Sequence, residues 1–158
     1  MSQQTLWIAY AASNIVAVLL LLASWKRPRL GRLLYFLLFA WAAWVNSNTS
    51  MKNPGVYLDY ANYAVPIYRD FITNWFSKYI TPMVFAIAMG QACIALGMLA
   101  KGRIFKLACI GGIVFLLAIA PLGVGAAFPF SLTAGAGLWL LYRGGSERWL
   151  WEGQSRAL

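Results

Sequence analysis

From Leu107 to Tyr142 the sequence runs for 36 residues without a charged side chain. A single straight helix of that length would extend about 54 Å, far beyond a hydrocarbon core about 30 Å thick. A soluble fold has no interior able to hide such a run together with the others in this chain. The stretch interrupts itself at "APLGVGAAFPF", where Pro121, Gly123, Gly125 and Pro129 cluster. Proline removes a backbone donor and glycine weakens a helix, so two spans are expected, about 105–122 and 128–143.

Composition points the same way. Of 158 residues, 61% are hydrophobic and 11% charged, against about 25% charged in soluble domains. A chain of this size cannot bury that much apolar surface in one core. The surplus is expected to face lipid, which makes the chain an all-α integral membrane protein. Residues 5–25, "TLWIAYAASNIVAVLLLLASW", form another uncharged run, about 30 Å as a helix. "MSQQ" lacks the basic start of a signal peptide, so a retained span is expected. Further spans are expected at 33–50, with "NSNTS" extending its short apolar part, and at 81–100, opened by Pro82 in its first turn. The expected fold is a bundle of about five transmembrane helices, the alternative being four plus a re-entrant segment, in a single domain over 1–158.

The charges set an orientation. The chain carries 13 Lys and Arg. With the N-terminus outside and the C-terminus cytoplasmic, ten fall inside: Lys26, Arg27, Arg29, Arg32, Lys101, Arg103, Lys106, Arg143, Arg148 and Arg156. Lys52, Arg69 and Lys78 fall outside. That asymmetry is the one expected of a multi-pass protein of the cell inner (cytoplasmic) membrane. "KRPRLGR", residues 26–32, then reads as a topogenic loop, or more sharply as an anionic-lipid or phosphate site. Trp149 and Trp151 suit a short interfacial tail touching headgroups.

Several function classes fall away. Nucleic-acid binding needs a continuous basic face on a soluble scaffold, whereas here the +9 net charge is split into short clusters between apolar runs. With no histidine, the usual haem ligand, zinc ligand and general base are missing. Cys93 and Cys109 lack CxxC spacing, so no metal site or redox dithiol is expected from this chain. Ala86, Gly90, Cys93 and Gly97 form a small-residue stripe where another helix can approach closely. Gln91 is either an interhelical hydrogen bond or a ligand contact.

The chain's first two acids, Asp59 and Asp70, both fall in "YLDYANYAVPIYRDFITNWF", residues 57–76. The extracytoplasmic segment 53–79 is expected to open with Asn53 as N-cap and Pro54 at the first helical position, giving a short helix over 55–64. Pro66 then breaks the chain. Beyond it Ile67, Tyr68, Phe71, Ile72, Trp75, Phe76 and Tyr79 share one face, opposite Arg69, Asp70, Thr73, Asn74, Ser77 and Lys78. That pattern predicts an amphipathic helix of about three and a half turns, lying in the outer interface with its rings at headgroup depth. Carboxylates are costly in hydrocarbon, so a solvated polar face accounts for them. The functional alternative is a lid over a cavity between the spans, with Asp59, Tyr60, Tyr63, Tyr68, Arg69, Asp70 and Gln91 contacting a ligand's polar head. Arg69 and Asp70, being adjacent, point apart and need partners elsewhere, such as Lys52, Lys78, Asn46 or a span end.

The order of "YRDF", then "ITPMVFAIAMGQACIALGMLAKGRIFKLACIGG", then the proline-broken "IAPLGVGAAFPFSL" resembles the DoxX/DoxD-like family of small bacterial membrane proteins over about residues 57–143. The resemblance implies a helical bundle with a quinone- or lipid-facing cavity and a partner redox enzyme, as in the membrane subunit of thiosulfate:quinone oxidoreductase. Members often begin with an arginine-containing, glycine-rich helix, which the first span here is not, so no catalytic residue is carried over. Three functions follow as expectations. One is a DoxX-like subunit binding a quinone or lipid-like ligand beside a redox partner, the chemistry coming from elsewhere. Another is a non-catalytic assembly subunit of a larger membrane complex, or a homo-oligomer. The last is a small-solute or lipid carrier, suggested by the broken helix but lacking ionisable residues well inside a span.

Overall fold

The structure, a computed structural model, describes residues 3–145 and 148–152. Six α-helices and three 3₁₀ segments follow one another, and no strand forms among the described residues. The helices are α1 (Gln3–Lys26), α2 (Pro28–Lys52), α3 (Pro66–Asn74), α4 (Ile80–Leu99), α5 (Gly102–Ile119) and α6 (Phe130–Gly144). Four segments are long and apolar enough to cross a membrane: Gln4–Lys26, Pro28–Lys52, Ile80–Leu99 and Gly102–Ala126. α6 is shorter, at 15 residues, or about 22 Å.

The loops joining α1 to α2 and α4 to α5 are short, so each pair runs antiparallel. "KRPRLGR" is scarcely a loop, because α2 begins at Pro28 and only Arg27 separates it from α1. Proline suits a first helical turn, where its missing N–H has no intrahelical partner to lose. α6 lies parallel to α1. Near one end the Asn14 amide donates to the Ala127 carbonyl at 3.0 Å, and near the other Gly137 abuts Leu21 and Ser24. One end of the bundle therefore gathers the C-termini of α1, α4 and α6 with the N-termini of α2 and α5. Lys26, Arg27, Arg29, Arg32, Lys101, Arg103, Lys106 and Arg143 all belong to that basic end. Arg156 lies outside the described residues.

Between the two ends the core is built from Leu20, Tyr35, Phe39, Met98, Phe105 and Leu138, all nearly inaccessible. Close approach is bought by small residues. At Gly112 an added Cβ would stand 2.7 Å from Leu138 Cδ1 and 3.3 Å from the Phe39 ring. The Tyr35 hydroxyl, in the middle of this core, donates to the Ala134 carbonyl at 2.5 Å. Outward faces are apolar and open, with Ile8, Leu96, Leu107 and Val114 each 60–70% exposed. That inversion of the soluble pattern is what a lipid-facing surface requires. Trp41 and Trp44 stand exposed in the second half of α2, and Trp25 and Trp151 stand exposed at the basic end, where interfacial tryptophans gather.

Arg32 departs from its place in an expected loop. It lies within the first turns of α2 and is only 4% exposed. Its Nε donates to the Met98 carbonyl at 3.0 Å, its Nη2 to the Ala100 carbonyl at 2.5 Å and its Nη1 to the Arg148 carbonyl at 3.1 Å. Terminal carbonyls of a helix have no intrahelical donor, and a cation there also meets the negative end of the helix dipole. Arg32 thus closes the C-terminus of α4. The tail docks beside it, with the Leu150 N–H donating to the Leu99 carbonyl at 3.1 Å.

Candidate functional site

The segment 54–79 caps the opposite end. Its first part, the short helix expected over 55–64, is a 3₁₀ helix over Pro54–Asn62, and the Asn53 side chain, the expected N-cap, makes no capping hydrogen bond. The expected single amphipathic helix over 67–79 is also divided. α3 ends at Asn74, and Phe76–Lys78 forms a separate 3₁₀ turn. Ile72 and Phe76 are both buried, while Ile67 (74% exposed), Phe71, Trp75 and Tyr79 face outward. Phe71 and Trp75 stand with ring centroids 5.5 Å apart, and Trp75 and Tyr79 at 5.3 Å, forming an exposed aromatic row.

Beneath this cap Tyr57, Ala61, Ala64, Ile72, Phe76 and Ile80 form a second hydrophobic cluster, with Tyr60, Tyr68 and Leu122 at its margin. The cap is tied to the 3₁₀ segment Ala120–Ala126 that follows α5. The Val65 N–H donates to the Pro121 carbonyl at 3.0 Å, and the Tyr68 hydroxyl to the Ala118 carbonyl at 2.9 Å. Two glycines admit the close approach. Gly123, at φ +63°, would set a Cβ 2.6 Å from the Tyr63 carbonyl oxygen, and a Cβ on Gly125 would lie 2.9 Å from the Tyr60 ring.

The seven residues expected to meet one ligand are dispersed into separate roles. Asp59 and Asp70 are exposed, and their carboxylates make no hydrogen bond or ion pair among the described residues. Arg69, also exposed, donates through Nε to the Ala61 carbonyl at 3.1 Å, rather than to Asn46 or a span end, and Asp70 forms no ion pair with Lys52 or Lys78 among the described residues. Tyr60 and Tyr63 meet at Gly125. Burial of Tyr60 pushes its phenol above the usual tyrosine range, and its hydroxyl makes no hydrogen bond among the described residues.

Gln91 sits apart from the others, deep between α2 and α4 and 3% exposed. The Asn46 amide donates to Gln91 Oε1 at 2.9 Å, and the Tyr57 hydroxyl donates to Asn46 Oδ1 at 2.9 Å. Thr81 extends this polar seam by donating to the Ser50 carbonyl at 3.0 Å. Polar groups placed here in hydrocarbon require internal partners, and "NSNTS", as the last turns of α2, supplies them. Burial, followed by the neighbouring Tyr60, also raises the Tyr57 phenol pKa. The three-residue chain Tyr57–Asn46–Gln91 therefore links the cap to both helices below it.

The small-residue stripe of α4 divides in two. Gly97 packs directly onto Ala108 of α5. Ala86, Gly90 and Cys93 point outward and are exposed, and a Cβ on Gly90 would meet nothing within 4 Å. This flat face leads into a groove of about 220 Å³ lined by Cys93, Ile94, Gly97, Ile104, Leu107 and Ala108. Among the described residues no group of three His, Cys, Asp or Glu side chains is placed to hold a metal ion. No family model, curated protein or solved structure matches the chain.

Proposed function

We propose that this chain is a non-catalytic assembly subunit of a larger complex in the cytoplasmic membrane. It crosses five times, α6 included, with the N-terminus and the aromatic cap outside and the basic end in the cytoplasm. The partner is a transmembrane helix of another subunit, seated on α4. The observation that carries this reading is the outward face Ala86–Gly90–Cys93, which runs into the apolar groove at Gly97 and Ala108. Without a hydrophobic driving force between helices in lipid, association depends on close backbone approach, which such a flat face permits. The DoxX/DoxD-like resemblance implies that the partner is a redox enzyme.

A Gly90→Leu variant tests this. The added side chain projects into open space in the isolated chain, so its own fold and melting temperature should be unaffected. Purified in mild detergent, the wild type should carry a second membrane subunit at fixed stoichiometry, and Gly90→Leu should lose it. A wild type that purifies alone, or a complex indifferent to Gly90→Leu and Cys93→Leu, contradicts the reading.

Quinone or lipid-like ligand binding at the cap is a second reading, supported by the unpartnered hydroxyl of Tyr60. A half-buried phenol held protonated can donate to a carbonyl oxygen. Quinone extracted from the purified protein, and lost in Tyr60→Phe, would favour it. Tyr68, Arg69 and Gln91, the other donors such a site would draw on, already donate to or accept from the protein itself, which favours assembly.

A further inference from the structure

The basic end contains a hollow of about 470 Å³. Five cations line it: Arg29 and Arg32 from α2, Lys106 from α5, Arg143 from α6 and Arg148 from the tail. A topology signal needs only charge on one side of the membrane. It does not need side chains from four separate stretches of sequence to converge on one concavity, and here they do. Like charges drawn together repel, and an anion between them offsets that repulsion.

We propose that this hollow binds a phosphate group, carried by an anionic phospholipid headgroup or free in solution. Arg32 supplies field and shape, its donors being directed at the carbonyls of Met98, Ala100 and Arg148. Contact falls to the exposed side chains of Lys106 and Arg143, joined by Arg29, which gives one N–H to the Glu152 carbonyl. The Glu152 carboxylate is turned to the Trp149 N–H at 3.0 Å and is not part of the lining. Glu147 lies outside the described residues. Phe105, Leu141 and Trp149 complete the wall with apolar surface, suited to the glycerol side of a headgroup. The volume falls within the range of small-molecule sites, about 300–1,000 Å³. Trp149 and Trp151 stack with centroids 4.8 Å apart beside the hollow, placing it at the headgroup depth that interfacial tryptophans favour.

The test uses the full chain, independently of the assembly proposal. In one arm it is reconstituted in nanodiscs of phosphatidylcholine with a minority of phosphatidylglycerol, and retained lipid is counted by native mass spectrometry after release into neutral detergent. In the other, delipidated protein is titrated with inorganic phosphate by calorimetry. Retention of phosphatidylglycerol over phosphatidylcholine assigns the site to a lipid headgroup, and phosphate binding without lipid preference assigns it to free phosphate. Whichever ligand binds, the double variant Lys106→Gln/Arg143→Gln should weaken it about tenfold or more. The control Lys26→Gln/Arg103→Gln removes the same charge from the same end but outside the lining of the hollow, and should leave binding unchanged. Equal loss in both variants, or neither ligand bound by the wild type, overturns the proposal.

Discussion

The guanidinium carbon of Arg32 lies 4.4 Å from the centroid of the Phe105 ring. One side chain from α2 therefore closes the final turn of α4 and covers the first turn of α5. Hydrogen bonds from a charged donor contribute about 1.5–3 kcal/mol each where water is excluded. Arg32→Met should accordingly lower stability by about 3 kcal/mol or more, read as a fall in melting temperature in detergent. Arg32→Lys keeps the charge without the planar fork and should recover less than half of the loss.

Asn46 and Gln91 should behave as a unit. Removing Asn46 leaves the buried Gln91 amide and the Tyr57 hydroxyl without their side-chain partner, and removing Gln91 leaves the Asn46 amide N–H without its acceptor, each at a cost of about 1–3 kcal/mol. Replacing both by leucine removes both amides with their shared bond and leaves only the Tyr57 hydroxyl without its Asn46 side-chain acceptor, as Asn46→Leu alone already does, so the double variant should be more stable than the sum of the singles predicts. A double-mutant cycle in a chemical denaturant checks this, and strict additivity would mean the two side chains do not interact.

Gly123 holds the cap to the end of α5. Gly123→Ala would place a methyl against the Tyr63 carbonyl at a backbone angle that L-residues avoid. The expected cost is about 1–3 kcal/mol, confined to the cap. Limited proteolysis of the variant should cut within 54–79 while the helical signal of the bundle persists. Gly90→Ala, with open space around it, is the matched control.

Much of the architecture is legible in the residues themselves. The charge-free stretch breaks across Ala120–Pro129, where Pro121, Gly123 and Pro129 make a continuous helix unfavourable. The role of Arg32 was available too. Arg32, Tyr35, Phe39, Ala43, Asn46 and Ser50 recur at spacings of three and four along α2, so the arginine stands on the face that carries the core. The dense charges and Pro28 of residues 26–32 have the look of a loop, which masks that periodicity. The site was less legible because its partners are distant in sequence. Helical spacing puts Ile72 and Trp75 on one face, but it cannot say that Ile72 and Phe76 turn inward while Trp75 stays exposed. Nor can it say that Arg69 is met by the Ala61 carbonyl. Such outcomes depend on how the cap seats on Gly123 and Gly125. Asp59 and Asp70 stand out in the composition because carboxylates are scarce, yet scarcity reflects access to water as readily as a ligand.

As proposed, the chain crosses the membrane five times, with the aromatic cap on one side and the basic end on the other. Single cysteines at Asp59, Lys101 and Arg143, placed in a Cys93→Ala/Cys109→Ala background, test it through labelling of intact cells by an impermeant maleimide. Asp59→Cys should react from outside, while Lys101→Cys and Arg143→Cys should react only after the membrane is opened. Labelling of Arg143→Cys from the same side as Asp59→Cys would contradict it, because α6 would then not cross.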